Sequence, residues 1–73
     1  MILVNGAMWG TAREIADQLG RTEKSVRRWY ERGQLAGVRM TDDAGRPQVR
    51  HPLTAAAGLD ARIRRGGHGQ RRA

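Results

Sequence analysis

The chain contains no cysteine, which excludes a disulfide framework and any thiolate metal site and fits a reducing compartment. Its two histidines, His51 and His68, stand 17 residues apart with no cluster of carboxylates between them, so neither a metal nor another cofactor is expected. Long apolar runs are missing too. None approaches the roughly 20 residues needed to cross a bilayer, and Met1-Ile2-Leu3-Val4 lacks the basic start of a signal peptide. These absences predict a soluble, cytoplasmic protein with no membrane partner. No nucleophile–base pair, phosphate-binding loop or carboxylate dyad is visible, and Asp42-Asp43 reads as a turn, so no enzyme is expected. At 73 residues there is room for one domain with a thin core.

What the chain does have is positive charge. Fourteen Lys and Arg oppose seven Asp and Glu, a net +7. Such an excess on a small body favours a polyanionic partner, most often nucleic acid. All but Lys24 of the basic residues are arginine, whose planar fork suits phosphate and guanine, although a GC-rich genome gives the same bias. The charge is uneven. Residues 21–32 hold Arg21, Lys24, Arg27, Arg28 and Arg32 against Glu23 and Glu31, and residues 61–73 hold arginines and no acid.

Residues 1–8 read as an unpatterned lead-in. Thr11 with Glu14 three residues on is a capping box, and Ala12, Ile15, Ala16 and Leu19 repeat as one helical stripe up to Gly20. A helix over 11–19 follows. Thr22 is a second N-cap, with Glu23 at the positive end of the dipole. Val26, Trp29 and Tyr30 then share an apolar face, while Lys24, Arg27, Arg28 and Glu31 lie opposite, with Arg27–Glu31 as an i,i+4 pair. This predicts a helix over 22–32, ended by Gly33. Val38-Arg39-Met40 and Gln48-Val49-Arg50 alternate around a turn-rich linker and predict a β-hairpin over 36–51, with Pro47 restricting its second strand. Leu53, Ala56, Leu59 and Ile63 predict a third helix over 52–65, weakened by Gly58, and 66–73 reads as a disordered basic tail. The expected fold is mainly α with a small β-hairpin.

Two short helices joined at a glycine, the second one basic, resemble the helix-turn-helix of DNA-binding proteins. Ile15, Ala16, Leu19, Gly20, Val26 and Trp29 carry the match. Arg21 departs from it, standing where the family has an aliphatic residue. The stretch Ser25-Val26-Arg27-Arg28-Trp29-Tyr30-Glu31-Arg32-Gly33-Gln34-Leu35, with the hairpin after it, looks like a MerR-type winged helix-turn-helix domain over about Trp9–Leu53, in the minimal form of phage and plasmid excisionases and small regulators. The longer family members add a dimerising helix and an effector domain that have no counterpart here, so ligand sensing is not implied. The resemblance implies sequence-specific binding to double-stranded DNA, with the second helix in the major groove. It also implies a homodimer or cooperative oligomer on DNA, an integrase or the transcription machinery as partner, and a place on the nucleoid.

The candidate DNA-binding residues are Thr22, Lys24, Ser25, Arg27, Arg28 and Arg32 on the second helix and Arg39, Arg46 and Arg50 on the hairpin. Acidic Asp42 and Asp43 at the hairpin tip should repel phosphate. Trp9, Trp29 and Tyr30 read as core, and His51 as a residue between strand and helix. The rivals are an RNA-binding module, which would show aromatics on a sheet face, and a protein-interaction adaptor whose charge only maintains solubility.

Overall fold

The computed structural model describes the backbone of residues 1–71 and the side chains of residues 1–65. Its elements run β1 (Ile2–Val4), β2 (Ala7–Thr11), α1 (Ala12–Leu19), α2 (Glu23–Glu31), β3 (Val38–Thr41), β4 (Pro47–Pro52) and α3 (Leu53–Arg71). The four strands form one antiparallel sheet in the order β1-β2-β4-β3. This corrects the expectation of a mainly α chain with a small hairpin: among the described residues the fold combines three helices with a four-stranded sheet.

The correction has a physical cause in the first eleven residues. The lead-in is a β-hairpin, with Ile2 opposite Trp9 and Val4 opposite Ala7. Asn5 and Gly6 turn it, both at positive φ (51° and 81°), as a two-residue type I′ connection requires. The Asn-Gly pair was the available signal. It was masked because Ile2-Leu3-Val4 and Ala7-Met8-Trp9 are apolar throughout and show no period of two. β2 then pairs with β4, Gly10 opposite His51 and Thr11 opposite Arg50, a match about forty residues away that no local pattern reveals.

β2 leads straight into α1. Thr11 is both the last residue of the strand and the N-cap, and its capping box with Glu14 is complete. Gly20 closes α1 in the left-handed conformation (φ 68°), and the chain re-enters a helix at Thr22, whose hydroxyl accepts from the Ser25 N–H at 3.1 Å. The helix boundaries at α1 and α2 therefore fall where the caps put them. α3 runs through Arg71, past the expected stop at 65 and into the stretch read as a disordered tail; residues 72–73 of that stretch lie outside the described residues.

The core collects Ala12, Ile15 and Ala16 of α1, Val26 and Trp29 of α2, Leu35, and Ala56 and Leu59 of α3. Ile15 and Val26 have no exposed surface. Both lie, with Ala16, in the one core cluster that α1 and α2 share. Tyr30 departs from the expected core: 40% of it is exposed. Its ring lies edge-on to His51, with centroids 5.1 Å apart, which docks the end of α2 on β4. No helix among the described residues is long and apolar enough to cross a membrane.

Candidate nucleic-acid interface

The α1–α2 pair presents one face to the core and one to solvent. Val26 and Trp29 anchor α2 inward, and Lys24, Arg27, Arg28 and Arg32 are exposed on its outer side. Nine residues at about 1.5 Å each make a rod of roughly 13 Å, comparable to the ~12 Å width of a major groove. Thr22 and Ser25 lie at the start of this rod. Their hydroxyls bond to each other at 3.0 Å, and the Thr22 oxygen also caps the helix, so both are held in place before any ligand arrives.

Arg27 pairs with Glu23 rather than with the expected Glu31. The physical reason is orientation: a glutamate one turn before its cation is the better arrangement on a helix. Arg27 is thus partly committed. Lys24, Arg28 and Arg32 meet no acidic partner among the described residues. Glu31, also without an ion-pair partner among the described residues, offsets one of them, so residues 23–32 keep a net charge of +2.

The β3–β4 hairpin divides the remaining candidates. Arg39 is exposed on β3, and Arg46 is 79% exposed at the tip. Asp42 differs from its expected role. Its Oδ1 accepts from the Ala44 and Arg46 N–H groups at 2.9 and 2.7 Å, and its other oxygen faces the Arg46 guanidinium at 3.6 Å. The carboxylate therefore builds the turn, and Asp43 is the acid left exposed at the tip. Arg50 lies apart from the other candidates. Only 17% exposed, it donates to Glu14 Oε1 and Gln48 Oε1, each at 3.2 Å, and ties β4 to α1.

Glu14 is a hub that sequence reasoning saw only as a capping residue. It accepts from the Met1 ammonium at 2.8 Å, from the Thr11 N–H at 2.9 Å and from Arg50. The ammonium and the Thr11 N–H hold its carboxyl below the ordinary carboxylate range against the opposing effect of burial, with help from Arg50. A second hub joins the helix-turn-helix corner to α3. Arg21 lies over the Trp29 ring, 5.8 Å from its centroid, and donates to Asp60, which also accepts from Arg64 at 2.9 Å. The position that departs from the helix-turn-helix pattern is thus packed through an ion pair. His51 is 2% exposed. Its Nδ1 lies 2.9 Å from the Ala36 carbonyl, which can only accept, so the proton sits on Nδ1.

Arg13 was not singled out from sequence, yet it is exposed and lines a groove of about 520 Å³ between α1, α2 and β4 with Arg27, Tyr30 and Val49. Glu23 and Glu31 line the same groove and cancel its two arginines. Outside the groove, the exposed cations with no ion-pair partner among the described residues are Lys24, Arg28 and Arg32 on α2, Arg39 on β3, and Arg62 and Arg65 on α3. Compared with family models, curated proteins and solved structures, the chain matches none.

Proposed function

We propose that this protein binds double-stranded DNA sequence-specifically, with α2 in the major groove and the β3–β4 hairpin against the backbone. The observation that carries the reading is α2 itself. It is a capped rod of groove width, anchored by Val26 and Trp29, with Lys24, Arg28 and Arg32 exposed on its outer side. In this reading Arg28 and Lys24 face base edges. Arg32, Arg39 and Arg46 hold phosphates, and Thr22 and Ser25 seat the helix N-terminus near the backbone. Arg27 contributes after releasing Glu23, and Arg50 acts by holding the hairpin to α1. The resemblance of the α2 sequence to MerR-type domains supports the same assignment and suggests two roles, an excisionase-like recombination factor beside an integrase or a small transcriptional regulator on the nucleoid. The reading has no catalytic step.

Duplex binding across a salt series tests it. Three phosphates neutralised by Arg32, Arg39 and Arg46 predict a slope of about −2.7 in log affinity against log salt. Arg28→Ala should remove about 1–3 kcal/mol of discrimination at one base pair, whereas Arg39→Ala should weaken all sequences alike and reduce the slope by about 1. A flat salt response, or preference for RNA over duplex, defeats the reading.

A further inference from the structure

β1 is an edge strand of the sheet, and it carries none of the devices that keep edges from pairing. Lysine, proline, a bulge or an inward charge would blunt it; it has Ile2, Leu3 and Val4, all exposed, with Leu3 at 67%. Met8, opposite Leu3 across the hairpin, is exposed as well. The other edge, β3, is marked by exposed Arg39. Residues 1–12 contain no charged side chain in a chain of net charge +7.

We infer that β1 pairs with β1 of a second copy, antiparallel about a two-fold axis at Leu3, joining two sheets into one. Three observations point to a copy of this chain rather than a different partner. The first is charge: two +7 bodies repel over most of their surfaces, and the uncharged hairpin is where an identical chain approaches without meeting like charge. The second is self-complementarity: centring on Leu3 puts Ile2 opposite Val4 of the copy, apolar against apolar on each face. The third is backbone direction. In a two-residue hairpin the pair flanking the turn, Val4–Ala7, is hydrogen-bonded, and alternation then aims the N–H and C=O of Leu3 outward. Leu3 and its copy satisfy each other reciprocally.

The interface is small. Three residues a side fall well short of the ~800 Å² per partner of a standard interface, so the free chain associates weakly and DNA strengthens the dimer by raising effective concentration. A two-fold axis for antiparallel edge pairing stands normal to the sheet and leaves each element on its own side. Both α2 helices then lie on one side of the joined sheet. If the DNA reading holds, the preferred site is an inverted repeat.

The test uses the full chain without DNA, so it stands whether or not the DNA reading does. Sedimentation from micromolar to millimolar concentration should show the 8.1 kDa species moving toward twice that mass. Leu3→Lys should weaken association by more than about tenfold, because two lysines then face each other across the axis. Its melting temperature should barely move, since Leu3 is largely exposed. The chain has no cysteine, so Leu3→Cys gives a single reporter. Paired Cα atoms about 5.5 Å apart are within disulfide reach, and oxidation should link Leu3→Cys while leaving Ala44→Cys, at the far hairpin tip, monomeric. A monomer at every concentration, an association indifferent to Leu3→Lys, or equal cross-linking at both cysteines would each overturn the inference.

Discussion

Replacing Asp60 with alanine should cost this domain a large share of its stability. The carboxylate is 11% exposed and holds Arg21, itself 28% exposed, under the corner between α1 and α2. Its contact with Arg64, which is 57% exposed, adds little. A hydrogen bond to a charged group is worth about 1.5–3 kcal/mol, and stranding one partner of a buried pair costs about 3–5 kcal/mol. Arg21 is only partly buried, so the loss lies near the lower range. Alanine returns about 0.5 kcal/mol of helix propensity in α3, leaving a net loss of roughly 2 kcal/mol. A domain of this size has about 4–11 kcal/mol in all, and the melting temperature should fall by about 8–16 °C. Urea titrations followed by tryptophan fluorescence read the change, since Arg21 lies over Trp29. The Arg21→Ala, Asp60→Ala cycle should give a coupling of about 1–2 kcal/mol. The pH dependence has a defined sign. Burial alone would raise the Asp60 carboxyl, but hydrogen bonds from Arg21 and Arg64 and their charges hold it below its ordinary value. A lowered folded pKa gives stability that is present above the unfolded value and lost as pH falls through the folded one. Asp60→Asn should remove that part of the acid slope. Additive single effects with an unchanged acid slope would refute the coupling.

Three further outcomes follow from the same structure. Gly58→Ala should stabilise by about 1 kcal/mol, because the position lies inside α3 and an added Cβ meets nothing within 4 Å; thermal melts check it. Gly20→Ala should destabilise by about 1–2 kcal/mol, since that residue sits at φ 68°, and a shift in urea midpoint at constant slope would report it. Thr22→Ala should cost about 1 kcal/mol through loss of the cap on α2, and calorimetry would read the deficit without any DNA present.

The helices were legible because their signals are local. Thr11 with Glu14, Gly20, and Thr22 with Ser25 lie within a few residues of the bonds they make, and the stripe through Ile15, Val26 and Trp29 needs no knowledge of distant chain. The sheet was not legible for the opposite reason. Gly10 meets His51 and Thr11 meets Arg50 across a separation that periodicity does not span, and the uniform apolarity of β1 and β2 hides which residues face inward. The candidate interface divided along the same line. Outward Lys24 and Arg28 followed from helical phase. The diversion of Arg50 to Glu14, of Arg21 to Asp60 and of Asp42 into its own turn depends on partners that the helix and strand patterns do not identify.

The pairing of β2 with β4 also sets a schedule for synthesis. Gly10 leaves the ribosome 41 residues before its partner His51, and at roughly 5–20 residues per second the delay is about 2–8 s. Through that interval the Ile2–Trp9 hairpin has no neighbour on its inner edge, and α3, which also packs on β2, has not yet been made. This apolar hairpin is therefore made well before the strand that completes its pairing, and a nascent chain stalled before β4 would display the unpaired edge of β2 to any chaperone within reach.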